Sequence, residues 1–113
     1  MGNDKNVLNT FYIMPGFLFE GELEKLSNDA RVLYSRLHNY HNKSEQNISK
    51  GFNEKGELYF ILPRGMMSDM FKMPQRVISK AMDELKEHNL IDEQYDDQGM
   101  PQIFLLKEFL FSE

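Results

Sequence analysis

Pro63-Arg64-Gly65-Met66-Met67-Ser68-Asp69-Met70-Phe71-Lys72-Met73-Pro74-Gln75-Arg76-Val77-Ile78-Ser79-Lys80-Ala81-Met82-Asp83-Glu84-Leu85 holds two helical patterns separated by a break. Met66, Met67, Met70 and Phe71 follow the three-and-four spacing of a short amphipathic helix. Met73-Pro74 interrupts it. Proline suits the first position of a new helix, where its missing N–H would have no partner anyway. From Pro74, the residues Val77, Ile78, Ala81, Met82 and Leu85 make one apolar stripe reaching about His88. Asn89 predicts a left-handed cap before Leu90 and Ile91. A short helix, a tight turn and a longer helix make a helix-turn-helix.

Downstream, a strand near Leu90–Gln94, a turn at Asp96-Asp97-Gln98-Gly99 and a strand at Gln102–Lys107 predict a hairpin. A hairpin directly behind a helix-turn-helix makes the winged variety. Upstream, Ser27 can cap a helix over about Asn28–His41, with Asp29 in its first turn and Ala30, Leu33, Tyr34 and Leu37 on one face. A first hairpin pairs Ile48–Phe52 with Leu58–Leu62 around Asn53-Glu54-Lys55-Gly56, where glycine supplies a positive φ. Before these lie an apolar arm, Phe11–Phe19, turning at Pro15-Gly16, and an amphipathic stretch from Glu20 to Leu26. The expected fold is α+β: a winged helix-turn-helix with an extra N-terminal arm or short helix and a β-hairpin ahead of it. Residues 1–10 are polar and expected to be mobile, and residues 11–113 to form one winged-helix domain.

The composition agrees. At 113 residues, 41% apolar and 27% charged, the chain has material for one core. A net charge of −5 excludes a uniformly basic coat but not a basic face. Without cysteine there is no disulfide framework, thiolate zinc site or cysteine nucleophile. Its clean apolar runs, such as Tyr59–Leu62 and Ile103–Leu106, are far short of the roughly 20 residues of a membrane helix. The first residues lack the apolar core of a signal peptide, and a cytoplasmic location is expected.

Catalytic patterns are missing. The chain has no glycine-rich phosphate loop, no Gly-x-Ser-x-Gly and no His-Glu-x-x-His. His38 and His41 could face one side of a helix, but two imidazoles do not make a metal site and no carboxylate supports them. Packing beside aromatic rings is the plainer reading. Most of the aromatic residues, and Met66, Met67, Met70 and Met73, are read as core. No enzyme activity, cofactor or metal is expected.

The polar side of the second helix is more informative. Opposite its apolar stripe stand Gln75, Arg76, Ser79, Lys80 and Asp83, with Lys72 just before. Cations and hydrogen-bonding side chains at a helix start suit the major groove of a duplex, where base edges and phosphates are both in reach. Gln75 and Arg76 are the candidates for base edges; Lys72, Ser79 and Lys80 for phosphates; Arg64 for the backbone beside the first helix. Asp92, Glu93, Asp96 and Asp97 make the wing acidic, which argues against its insertion in a groove.

Three stretches together resemble a known family. Phe11-Tyr12-Ile13-Met14-Pro15-Gly16-Phe17-Leu18-Phe19 followed by Leu26-Ser27-Asn28-Asp29-Ala30-Arg31-Val32-Leu33-Tyr34 is similar to the opening of the RepA_N family, the replication initiator proteins A of plasmids from low-GC Gram-positive bacteria. Phe52-Asn53-Glu54-Lys55-Gly56-Glu57-Leu58-Tyr59-Phe60-Ile61 resembles its hairpin. Gln75–Ile91 resembles its recognition helix and exit into the wing. The chain departs from that pattern at Gly16, at Met73-Pro74 and in its acidic wing. The resemblance implies a winged-helix module that binds repeated origin sequences in double-stranded DNA, as a homodimer, with host replication proteins as further partners. It also implies a fragment or shortened relative, since family members continue into a linker and a C-terminal domain. The alternatives are a winged helix used for protein interaction and a transcriptional repressor of the same fold.

Overall fold

A computed structural model describes residues 14–43 and 50–106, with the side chains of 42 and 43 left aside. The polar segment 1–10, the arm residues 11–13, Ile48 and the C-terminal residues from Lys107 lie outside the described residues. Two short 3-10 turns, Gly16–Phe19 and Gly21–Lys25, lead into α1 (Asn28–Lys43). Then come β1 (Lys50–Phe52), β2 (Leu58–Ile61), α2 (Arg64–Phe71), α3 (Gln75–Glu87), β3 (Ile91–Tyr95) and β4 (Pro101–Leu105). This is a winged helix. Among the described residues no helix is long and apolar enough to cross a membrane.

Local chemistry sets the helix ends. Ser27 Oγ accepts the Ala30 N–H at 3.1 Å, capping α1. The same hydroxyl donates to Glu84 Oε2 at 2.7 Å, and the Ser27 N–H donates to Glu84 Oε1 at 2.9 Å. One serine therefore caps α1 and fastens it to α3. Ser27→Ala is expected to cost about 1–2 kcal/mol, seen as a lower urea midpoint at unchanged m-value.

The α2–α3 turn needs a residue in the left-handed region, and Lys72 takes it with φ 58. Its N–H donates to Ser68 O, while Ser68 Oγ donates to Met73 O at 2.7 Å. At the far end of α3, Asn89 adopts φ 61. The Leu90 N–H reaches Leu85 O and the Asn89 N–H reaches Lys86 O, the paired closure expected of a left-handed cap. Gly56 has φ 81 in the first hairpin, as its turn requires.

The core lies between α1, α3 and one face of the sheet. Leu33, Tyr34 and Leu37 of α1 meet Ile78, Met82 and Leu85 of α3, with Phe60, Leu62 and Ile103 below them, all essentially inaccessible to water. α3 also packs on α2 and β3. The two hairpins form a single antiparallel sheet of order β1-β2-β4-β3 rather than two separate ribbons. Phe60 stands opposite Ile103, and Ile91, Glu93 and Tyr95 stand opposite Leu105, Ile103 and Pro101.

Two expectations about the core need correction: Phe19 and Phe52 are exposed rather than packed inward, and the methionine group is divided. Met66 and Met70 are 48% and 41% exposed, so only Met67 and the half-buried Met73 of that group pack inward. The side of α2 that carries Met66 and Met70 looks outward. Arg31 is buried among the core positions of α1. Its Nε donates to Leu18 O at 2.9 Å and its Nη2 to Glu24 O at 3.0 Å, while the guanidinium lies 4.3 Å from the Phe19 ring. The 3-10 turns are thus pinned to α1 by one arginine that satisfies carbonyls a short helix leaves open.

Candidate nucleic-acid interface

α3 places the predicted contact residues by its periodicity. Ile78, Ala81, Met82 and Leu85 are buried, so Gln75, Arg76, Ser79, Lys80 and Asp83 must look outward, and all five are exposed. Lys72 is exposed at the turn before them. None of Lys72, Arg76 or Lys80 forms an ion pair with a carboxylate among the described residues. They are brought together on one surface. Beside it runs a cleft of about 440 Å³ lined by Ser27, Asp29, Arg76, Val77, Lys80, Ala81 and Glu84. The end of the Glu84 side chain is held by Ser27, so Arg76 and Lys80 share the open wall with one other acidic residue, Asp29.

Arg64 is placed differently. Its Nη1 and Nη2 donate to Glu93 Oε2 and Oε1 at 2.6 and 2.8 Å, and Lys86 Nζ donates to Glu93 Oε1 at 3.3 Å. The Arg64 side chain is 22% exposed and the Glu93 side chain 2%. The guanidinium is therefore directed at the wing carboxylate rather than outward. Arg64 and Lys86 brace the start of α2 and the end of α3 against β3. The same contact corrects the wing's charge: of its four carboxylates, Glu93 is neutralised within the fold. Asp96 Oδ1 accepts the Gln98 and Met100 N–H groups and shapes the wing turn.

The network has a pH signature. Burial by itself pushes Glu93 up, but hydrogen bonds and charge from Arg64 and Lys86 outweigh it, holding the carboxyl below the ordinary glutamate range. With the folded-state value below the unfolded one, ionised Glu93 contributes its stability in full above the unfolded value of about 4.3. That contribution is lost as pH falls through the folded-state value. Glu93→Gln is expected to cost about 1–3 kcal/mol at pH 7, with the deficit shrinking below pH 4 in denaturation curves recorded across that range.

His38 and His41 are not brought into a metal site. The His38 ring lies 5.9 Å from Tyr34 and the His41 ring 5.5 Å from Phe60. Among the described residues no group of three His, Asp or Glu is placed to hold a metal ion.

Residues 10–113 match the family model described as replication initiator protein A (RepA) N-terminus. The chain belongs to this family. No curated protein matches it in sequence. Solved structures with the same fold include an N-terminal domain of a DNA binding protein, with TM-score 0.74 and 21% identity over 95% of this chain and 82% of that one. A structure of an MDR initiator gives 0.72 and 23%, covering 95% and 84%. A Rep–DNA complex gives 0.72 and 22%, covering 97% and 84%. At these identities the likeness speaks to the winged-helix fold of the RepA N-terminus.

Proposed function

We propose that the chain is the sequence-specific, double-stranded DNA-binding module of a replication initiator, directed to repeated origin sequences. One observation carries this reading: the outward start of α3 presents Gln75, Arg76, Ser79 and Lys80 exposed, with no carboxylate paired to its cations among the described residues. Membership of the RepA N-terminus family and the fold shared with a Rep–DNA complex support it. In this reading α3 enters the major groove N-terminus first, along its outward face. Gln75 and Arg76 meet base edges; Lys72, Ser79 and Lys80 meet phosphates. Arg64 serves as a brace. The role is binding, without catalysis.

Salt dependence tests it. With Lys72 and Lys80 each on one phosphate, log K should fall with log salt at a slope near −2 per bound chain, or about twelve-fold between 50 and 200 mM. Fluorescence anisotropy on an origin repeat supplies the number. A flat response would overturn the proposal.

The acidic hairpins favour a second contact of another class. A cleft of about 490 Å³ whose lining carries four carboxylates, Glu54, Glu57, Asp96 and Asp97, against one cation, Lys55, is acidic on balance and fits a basic protein partner such as a host replication factor. A homodimer is also proposed, since Met14 and Phe19 are left exposed at the N-terminal turns and a twofold matches repeated half-sites. Sedimentation equilibrium distinguishes dimer from monomer.

A further inference from the structure

We propose that Asp83 determines base specificity, accepting a hydrogen bond from the exocyclic amine of a cytosine about three base pairs from the pair met by Arg76. The inference rests on the reading of α3 proposed above and extends it to a residue of opposite charge.

Arg76, Ser79 and Asp83 stand at positions i, i+3 and i+7 and form one ridge along the outward face of α3. Seven residues of helix advance about 10 Å, close to three base steps at about 3.4 Å each. The three carboxylates in the second half of α3 are disposed differently. Glu84 is folded onto Ser27, and Glu87 lies in the last turn. Asp83 and Glu87 are both exposed on the outward face, and Asp83 is the one nearer the start of the ridge, its side chain 78% exposed. Its ion-pair partner among the described residues is Lys86 at 3.7 Å, a cation that Glu93 engages more closely at 3.3 Å.

A carboxylate so placed is repelled by phosphates and by the acceptor edges of guanine and thymine. It is tolerated in a major groove where an amine donor meets it, and cytosine N4 is the donor that a pure acceptor reads. Arg76 at the start of the ridge offers only donors, matching guanine O6 and N7. The ridge therefore prescribes a guanine and a cytosine spaced about three pairs apart.

Selection from a pool of randomised duplexes, run with the wild type, D83A and D83N, tests the assignment. Circular dichroism first shows that the variants fold, as substitution at this exposed site should allow. The wild type is expected to enrich cytosine at one position by about tenfold. D83A should lose that preference while keeping the others, and D83N should move it toward adenine, which an amide reads through N6 and N7. If D83A binds all duplexes more tightly and selects the same bases as the wild type, Asp83 is merely a repelling charge and the assignment fails. A wild type that selects no base at all overturns both the assignment and the reading beneath it.

Discussion

Leu85→Ala is expected to destabilise the domain by about 2–5 kcal/mol, a large part of the 5–15 kcal/mol that holds a typical domain folded. Leu85 is fully buried on the apolar stripe of α3, in the cluster that joins this helix to α1 and the sheet. Truncation removes the transfer energy of the side chain and leaves a cavity that close-packed neighbours fill only in part. Val77 provides the contrast. It lies on the same helix but is half-buried beside the cleft, so Val77→Ala should cost clearly less. Urea denaturation of the two variants measures both. Equal losses would contradict the packing assigned to α3.

Arg76→Ala is expected to weaken binding to the cognate duplex by about 1–3 kcal/mol, with a much smaller effect on unrelated sequence. Its guanidinium is exposed at the first turn of α3 and engages no carboxylate among the described residues, so its five donors are available to a base edge. Lys80 lies one turn on, against the cleft. As a phosphate contact, Lys80→Ala should weaken cognate and random duplexes alike and lower the salt slope by about one. Anisotropy titrations of both variants on both duplexes separate the roles. Equal losses on cognate and random DNA for Arg76→Ala would remove it from base readout.

The helix-turn-helix was legible because its signals are local. Pro74 fixes where α3 begins, the three-and-four spacing of Ile78, Ala81, Met82 and Leu85 fixes which side is buried, and Asn89 fixes where it stops. The exposed face follows by geometry. α1 continues to Lys43, two residues past His41, and α2 begins at Arg64, ahead of its first methionine.

What escaped the sequence depends on which distant residues meet. Each hairpin is marked by its own alternation and turn, but nothing local shows that Ile61 pairs with Gln102 to merge the hairpins into one sheet. Glu93 reads as a wing surface charge until its period is considered. It shares a face with Ile91, which is buried, and so points inward, where Arg64 and Lys86 wait from two other elements. That inward position was inferable from the two-residue period; the partners were not. Arg31 likewise sits among core positions of α1, and its role appears only once the carbonyls of the 3-10 turns surround it.

The most direct measurement is an amide chemical-shift titration of the isotope-labelled protein with a duplex carrying one origin repeat. The largest perturbations are expected from Lys72 through Asp83, across the turn and the outward start of α3. Perturbations confined to the hairpin tips near Glu54 and Asp97, with the amides of Gln75, Arg76, Ser79 and Lys80 unmoved, would contradict the account.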